Sequence, residues 1–219
     1  LILVCALAVS QIIPTDRTDR SAKVAQGKTT RSKKPVKTTF TPASGEFRGV
    51  WISFQDIGEK RYTNKTFDNC KKNGFNAVIV HVRPFADALY PSSYFPWSRY
   101  VSGKAGKHPG FDPLSYAVSA AHKRGLAFHA WINPYRIASN TTNVYKLPKK
   151  SIARKWAVSK KASKRRNVLK WDGKLYFNPA SKDVQNLVCN GVREIVRDYA
   201  VDGIHFDDYF YPEVDNSKE

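Results

Sequence analysis

The stretch "DPLSYAVSAAHKRGLAFHAWINP" (residues 112–134) carries the two signals that decide the fold. In its first part an Asp stands at the N-cap, a Pro follows at the first helical position and a Gly comes at the end, so residues 112–125 are predicted to form a helix. In its second part, residues 126–134, apolar side chains alternate with polar or aromatic ones, and this alternation predicts a strand. A helix that runs directly into a strand is the building unit of an α/β protein.

Matching units lie on both sides of this stretch. Further strands are predicted at residues 47–54, 75–83 and 203–210, and further helices at 65–73 and 181–200. Alternation of strand and helix predicts a parallel sheet with right-handed crossovers. No glycine-rich phosphate turn follows the first strand, which favours a barrel over an open doubly wound sheet. We therefore expect residues 46–219 to be the first four units, or N-terminal half, of a (β/α)8 TIM barrel.

The N-terminal residues differ in composition from this region. Residues 1–10 are apolar and end in Ala8-Val9-Ser10, a small-x-small pattern, so they are predicted to be the tail of a signal peptide. A short buried helix is the alternative. Residues 11–45 are predicted to be a disordered basic linker, because they are rich in Thr, Ser, Lys and Gly. We accordingly expect export to the periplasm, the cell surface or the extracellular space.

The net charge of +19 is concentrated in two segments, residues 17–39 and 146–174. The second is a basic insertion inside the folded region. Such charge suits contact with nucleic acid, an anionic glycan or an acidic membrane surface, or it is simply the charge of a solvated loop. Because export is expected, a nucleic-acid partner is not, and an anionic envelope polymer is the partner predicted for this segment. No CxxC, HxH or HExxH pattern occurs, so no metal or cofactor is predicted.

Each predicted strand has one plain apolar face and one face that becomes polar or aromatic towards its C-terminal end. In a parallel barrel the second face lines the interior and the C-terminal mouth, where the active site lies. In an antiparallel sheet it would only be the wet face. The helices between the strands favour the barrel. The residues of this face are Trp51 and Ser53, His81 and Arg83, His129, Trp131 and Asn133, and His205, Asp207 and Tyr209.

The stretch "VDGIHFDDYFYP" (residues 201–212) places two carboxylates at the end of the fourth strand. Alternation directs Asp207 into the mouth and Asp208 away from it. Asp207 is therefore the better catalytic candidate, whereas Asp208 is either a second catalytic residue or the cap of the following turn. Arg83 and His205 would hold a nearby Asp207 ionised, as suits a nucleophile or a base.

The loops after the second and third strands add aromatic and polar side chains to the same end. Rings of this density suit stacking on sugar faces, with Asp, Asn and Arg binding the hydroxyl groups; alternatively, some rings pack the loop as a small core of its own. Together with the strand residues, these loops give the predicted substrate-binding set: Trp51, His81, Arg83, Asp87, Tyr90, Trp97, His129, Trp131, Asn133, Tyr135, Arg136, His205 and Tyr209.

Four long motifs resemble one known family. They are "EFRGVWIS" (46–53), "NGFNAVIVHVRPFADALYPSSYFPWSRYVSG" (73–103), "GFDPLSYAVSAAHKRGLAFHAWINPYR" (110–136) and "VDGIHFDDYFYP" (201–212). They resemble the glycosyl-hydrolase-like family 10 proteins, exported bacterial (β/α)8-barrel enzymes. The resemblance implies hydrolysis of O-glycosidic bonds in a polysaccharide, with peptidoglycan strands as the substrate of some relatives. More loosely, "DGIHFD" is similar to the strand-four signature of the alpha-amylase superfamily, which places Asp207 in the nucleophile position and His205 in the preceding basic position.

Glycoside hydrolysis normally takes two carboxylates on either side of the scissile bond. Asp207 and Asp208 are adjacent and point to opposite faces, so they make a poor pair. We expect the partner on a later strand outside these 219 residues, and hence no activity from this piece alone. The hypothesis from sequence is an exported glycoside hydrolase of the cell envelope. Its rival is a non-catalytic glycan-binding module that holds anionic wall polymer through the basic insertion.

Overall fold

The computed structural model of the protein describes residues 45–206. The predicted signal peptide tail and nearly all of the linker precede this range. The two aspartates of the fourth strand end, Asp207 and Asp208, and the neighbouring Tyr209 follow it, so the predictions for them lie outside the described residues. Within residues 45–206, none of the helices is both long enough and apolar enough to cross a membrane.

The described residues form strands and helices in alternation, with a small insertion before the last helix. The strands are β1 (Gly49–Ile52), β2 (Ala77–Arg83), β3 (Ala127–Ile132), β4 (Arg136–Ala138), β5 (Val168–Trp171), β6 (Lys174–Phe177) and β7 (Gly203–His205). The α-helices are α1 (Lys60–Lys72), α2 (Pro113–His122), α3 (Ile152–Ala157), α4 (Ala162–Arg165) and α5 (Lys182–Asp198). Single 3-10 turns lie at Phe54–Ile57, Arg99–Val101 and Val144–Lys146.

The main sheet is parallel and its four strands stand in the order β1-β2-β3-β7, which is their order along the chain. Helices α1, α2 and α5 make the three crossovers. A doubly wound sheet would reverse its strand order at a switch point, whereas a (β/α)8 barrel adds each strand next to the previous one. The prediction of an α/β fold with the strand order of a TIM barrel is confirmed.

Helix α2 shows why the sequence signals were reliable. The Oδ1 atom of Asp112 accepts a hydrogen bond from the Ser115 backbone N–H at 3.1 Å, and Pro113 occupies the first turn, as predicted. Leu114 and Ala117 are fully buried on the face that packs against the sheet. The helix predicted at 65–73 begins earlier, at Lys60, and the helix predicted at 181–200 covers Lys182–Asp198.

The core lies between the sheet and these helices. Val78 and Val80 of β2 and Phe128 and Ala130 of β3 are all fully buried on the helix side of the sheet. These residues are the plain apolar faces predicted from alternation. The opposite side of the sheet therefore carries the polar and aromatic face, and that face holds the candidate site.

The basic insertion has regular structure of its own. Strands β4, β6 and β5 form a second, antiparallel sheet, and α3 and α4 lie between β4 and β5 along the chain. Asp172 and Gly173 both have positive φ, at 42° and 68°, and make the tight turn between β5 and β6. Phe177 is buried and packs against the Trp156 ring at 5.8 Å between centroids. The charge at 146–174 is thus carried by a folded unit and not by an unstructured loop.

Candidate functional site

The inner face of the main sheet brings together one ring from each of its four strands. The His81 ring stacks on the Trp131 ring, with 3.7 Å between centroids and 13° between planes. Trp51 meets the Trp131 ring edge-on at 5.1 Å and the His205 ring at 4.3 Å. Register explains the arrangement, because His81 is paired with Trp131 and Trp131 with His205 across neighbouring strands. We call Trp51, His81, Trp131 and His205 the ring row.

The ring row has both an apolar surface and polar ring nitrogens. The Trp51 side chain is 46% exposed, so part of its ring is open to a ligand. His81 Nε2 and Trp131 Nε1 are buried and have no hydrogen-bond partner within residues 45–206. Buried polar atoms are almost always satisfied in folded proteins, so their partners come from a ligand, from water or from residues outside this range. An exposed indole next to polar ring nitrogens is compatible with a sugar-binding surface.

Two histidines of the inner face, His81 and His129, are neutral at neutral pH. Burial, and to a smaller extent the positive charge of Arg136, lower the pKa of His81 to about 3. Burial also lowers the pKa of His129, although Asp202 opposes this effect. A neutral imidazole at neutral pH stacks and hydrogen-bonds but has no proton to give as a strong acid. His81 is therefore unsuited to act as a general acid at neutral pH.

Arg83 does not share the inner face with His81, and that prediction is wrong. A register shift between His81 and Arg83 pairs Arg83 with Ile132, which lies on the helix side. One extra residue in the strand shifts the alternation by one position. The guanidinium lies 4.4 Å from the centroid of the Phe95 ring and next to Gly191 of α5, and the residue is 1% exposed. Arg83 is therefore not part of the ring row, and the prediction that it contacts Asp207 lies outside the described residues.

Tyr90 also lies on the helix side, away from the open face. It is fully buried, and its ring meets the Tyr199 ring at 5.8 Å. Burial raises the pKa of its hydroxyl, while the adjacent positive charge of Arg83 opposes that shift. Nearby, Glu194 of α5 accepts hydrogen bonds from the Ser92 hydroxyl at 2.5 Å and from the backbone N–H of residue 93 at 2.6 Å. The Tyr90 ring therefore packs its loop against α5, in agreement with the alternative that some loop rings form a small core of their own.

Asp87 and Trp97 stand beside the ring row and not in it. They belong to the loop 84–105, which folds back so that the backbone of Ala88 pairs with Pro96 and Ser98 at 2.9 and 2.8 Å. The Trp97 ring lies edge-on to His108 at 4.9 Å. Burial raises the pKa of Asp87 to about 6, and a hydrogen bond with Ser98 limits the shift. Asp87 lines a separate cavity.

Asn133 shapes the turn that follows β3. Its backbone N–H donates to the Arg83 carbonyl at 2.9 Å, and its Oδ1 atom accepts from the backbone N–H groups of Tyr135 and Arg136 at 3.3 and 3.0 Å. Asn133 is 2% exposed, whereas Tyr135 and Arg136 are partly exposed. The structure therefore gives Asn133 a positioning role in the turn that carries Tyr135 and Arg136.

Three further residues support this face, and the sequence analysis did not single them out. Phe47 packs on the His129 ring at 5.3 Å, and Phe54, directly after β1, meets the His81 ring at 5.8 Å. Gly203 lies against His129, because an added Cβ atom would stand 2.7 Å from Nδ1 of that ring. The aromatic residues flanking β1 were a usable signal for the first two. The closeness of Gly203 could be known only from the paired strands.

Comparison with known proteins agrees with these features. The model of a family described as "Glycosyl hydrolase-like 10" matches residues 46–218. A protein named "Glycosyl hydrolase YngK", from Bacillus subtilis (strain 168), is 43% identical over 182 residues, which cover 76% of this chain and 34% of that protein. Another, "Glycosyl hydrolase DigH" from Escherichia coli (strain K12), is 32% identical over 204 residues, which cover 84% and 46%. The chain thus spans between a third and a half of the length of these curated relatives.

One solved structure bears on the fold. A hypothetical protein from Ruminiclostridium thermocellum ATCC 27405 superposes with a TM-score of 0.51 at 14% identity, over 78% of this chain and 83% of that one. At so low an identity the likeness concerns the fold alone.

Proposed function

Since the chain belongs to the glycosyl hydrolase-like 10 family, we propose that it is part of an exported glycoside hydrolase that cleaves O-glycosidic bonds of a cell-envelope glycan, with peptidoglycan strands as the substrate. The observation that carries this proposal is the ring row. It lies on the inner face at the C-terminal half of parallel strands, which is where barrel enzymes of this strand order bind their substrates. The relatives YngK and DigH, both named glycosyl hydrolases, support the reaction class.

The chemistry of the ring row suits a sugar. The C–H groups on a sugar face are apolar enough to lie on an exposed indole such as that of Trp51, while the hydroxyl groups around its edge need hydrogen-bond partners. His81 Nε2 and Trp131 Nε1 supply two such sites in a buried setting, where a hydrogen bond counts for more than it does in water. Tyr135 and Arg136 are the further contacts we assign to the ligand at the strand ends.

We assign the catalytic carboxylate to Asp207. His205 is the last described inner-face residue of β7, with its ring on Trp51. Asp207 follows it by two residues, so an alternation that continued would direct its carboxylate to the same face, next to the ring row. Asp208 is the second candidate, and the partner carboxylate is expected elsewhere in the whole protein. Neutral His81 would bind the substrate and leave proton transfer to these carboxylates.

We further propose that the enzyme acts outside the cytoplasm. The apolar residues 1–10 with their small-x-small end support export. The basic insertion, with Lys149, Lys150, Lys160, Lys161 and Arg166 all exposed, supports contact with an anionic envelope polymer that keeps the enzyme near its substrate.

The test is turnover of purified peptidoglycan glycan strands by the full-length gene product, with soluble muropeptides followed by mass spectrometry. We expect Asp207→Asn to lower the rate of product release by about a thousandfold or more, as loss of an essential catalytic group does, while the Kd for the strands changes by less than about threefold. Asp208→Asn serves as the matched variant and should keep most of the activity if Asp208 only caps the turn. Equal activity in the wild type and in Asp207→Asn would refute the assignment.

The non-catalytic glycan-binding module remains the second candidate function. It is favoured by one observation: the basic insertion has an antiparallel sheet of its own and carries exposed lysines and arginines, as contact with an anionic polymer requires. This candidate predicts binding of the strands without soluble products, and no effect of Asp207→Asn on that binding.

A further inference from the structure

A cavity of about 280 Å³ lies beside the ring row. One wall is the loop 84–105, which follows β2, and the other is the segment 137–151, which follows β3 and leads into the basic insertion. We call it the loop cavity. Its volume is just below the ~300–1,000 Å³ of sites for drug-sized ligands, and so it suits a single small ring. Both walls arise from the C-terminal ends of parallel strands, the end at which the proposed active site lies.

The loop cavity holds a carboxylate with an unsatisfied oxygen. Asp87 is among its lining residues, and Asp87 Oδ1 is buried without a hydrogen-bond partner in the described part of the chain. Ser98, itself fully buried, interacts with the same carboxylate. A buried acceptor left open in this way is suited to a ligand O–H or N–H group.

Two cations, Arg99 and Lys146, line the same cavity. Neither Arg99 nor Lys146 makes an ion pair with any residue between 45 and 206. The Arg99 guanidinium lies over the Tyr100 ring, 5.9 Å from its centroid, which leaves its edge available for an anion. With one buried carboxylate and two cations, the cavity carries a net positive charge and offers a place for one negative group.

An aromatic bridge joins the loop cavity to the ring row. The Phe54 ring lies 5.8 Å from His81 of the ring row and 4.5 Å from Tyr100 of the cavity wall. The Phe85 ring, which also lines the cavity, lies 6.4 Å from the Phe54 ring between centroids. A glycan bound along the ring row can therefore continue over Phe54 and place its next residues at the cavity without leaving an aromatic surface.

We propose that the loop cavity is a separate glycan subsite that selects a sugar bearing a carboxylate. Arg99 and Lys146 bind that carboxylate, Asp87 accepts a hydrogen bond from a hydroxyl or amide of the same sugar, and Phe85 and Tyr100 contact its ring. The inference rests on the proposed function, since it takes the ligand to be a glycan, and deepens it by naming the chemical class of sugar.

The test measures binding of short glycans to the full-length protein carrying Asp207→Asn, by isothermal titration calorimetry. Three disaccharides are the probes: N-acetylglucosaminyl-N-acetylmuramic acid, which has a lactyl carboxylate; digalacturonate, which has uronic carboxylates; and neutral N,N′-diacetylchitobiose. We expect at least one carboxylated probe to bind about tenfold or more tightly than chitobiose, since charge-assisted Arg–carboxylate contacts are among the stronger hydrogen bonds. The preferred probe identifies the source of the carboxylate.

The decisive variant is Arg99→Gln with Lys146→Gln, in which charge is removed from two side chains without changing the core. It should abolish the preference for the carboxylated probe and leave the affinity for chitobiose within about twofold. Lys107→Gln, in the same part of the chain but outside the cavity lining, is the matched control and should change nothing. Equal affinity for all three probes, or a preference that survives the double substitution, overturns the subsite.

The two proposals fail separately. If glycan strands are hydrolysed by the wild type but no carboxylate preference exists, only the subsite is lost. If neither hydrolysis nor binding of any disaccharide is found, the proposed function fails and the subsite with it.

Discussion

At the residue scale, the function proposed for the inner face depends on a few side chains, and His81 is the most unusual of them. His81 is stacked on Trp131, buried and neutral, so it differs from the exposed, titrating histidine that its position in a polar strand end would suggest. Sequence alternation could place His81 on this face because period two is a property of every strand. It could not give the protonation state of His81, because that depends on which residues surround the ring in the folded protein.

The neutral state of His81 predicts a measurable pH dependence of stability. The pKa falls from an ordinary 6.5 to about 3 in the folded state, so between these values the unfolded chain binds a proton that the folded chain does not. The free energy of unfolding therefore rises with pH over this window. Between pH 4.5 and 7.5, His81 should contribute about 2–3 kcal/mol to the rise in the free energy of unfolding. Each pH unit below the pKa that His81 has in the unfolded chain is worth ~1.4 kcal/mol per bound proton.

The measurement is urea unfolding at both pH values for the wild type and for His81→Phe, which keeps an aromatic ring on Trp131. The variant should lose less stability on acidification than the wild type, by the amount given above. Other titrating groups, including Asp87, are common to both proteins and cancel in the comparison. An identical loss in both would show that His81 is protonated in the folded state at pH 4.5.

Trp51 is expected to matter for binding and hardly at all for folding. Its ring is 46% exposed, so removing it takes little from the core. Trp51→Ala should weaken binding of glycan strands by about 2 kcal/mol, the order found for a tryptophan at the centre of a binding surface, or roughly thirtyfold in Kd. Tyr62→Ala, a comparably exposed ring on α1, is the control and should leave the Kd unchanged.

At the scale of elements, the strands and helices were predictable and their irregularities were not. Apolar patterns of period two and 3.6 are properties of the sequence, so β2, β3, α2 and α5 were found with errors at their ends only. The register shift in β2 could not be predicted, because Val82 and Arg83 follow a normal apolar–polar alternation in the sequence. The shift is visible only in the pairing of β2 with β3. The fold of the insertion did have a signal, the Asp172-Gly173 pair between short alternating segments.

The register shift has a structural consequence on α5. Because Arg83 points to the helix side, the helix must approach it without a side chain at Gly191, where an added Cβ would collide with Arg83 Nη1 and stand 2.9 Å from Phe95 Cε2. Gly191→Ala should therefore lower the free energy of unfolding by about 1–3 kcal/mol through overpacking, although alanine favours a helix over glycine by about 1 kcal/mol.

Chemical denaturation of Gly191→Ala beside Asn186→Ala, an exposed position on the same helix, checks this expectation. The Asn186 variant should be neutral or slightly stabilised. Stabilisation of both variants to the same degree would mean that Arg83 does not occupy the space next to Gly191.

At the scale of the whole molecule, one face of the main sheet packs the core and the other carries the proposed binding site. The helix side holds the apolar core together with Arg83 and Tyr90, and the inner side holds the ring row with the loop cavity next to it. The sequence predicted the class, the strand order and most of the inner face. It misassigned two predicted binding residues to the open side, because burial of a polar side chain depends on elements that are distant in the chain, here α5.

The central claim is that a glycan binds along the ring row, where it is cut, and not on the basic insertion. The most direct measurement is the shift of tryptophan indole N–H signals in the full-length Asp207→Asn protein, labelled with ¹⁵N at tryptophan, when glycan strands are added. The five tryptophans of this chain divide clearly: Trp51 and Trp131 lie in the ring row, Trp97 in the adjoining loop, and Trp156 and Trp171 in the insertion. We predict shifts at Trp51 and Trp131, with Trp156 and Trp171 unmoved. Shifts confined to Trp156 and Trp171 would contradict the account and make the chain a glycan-binding module.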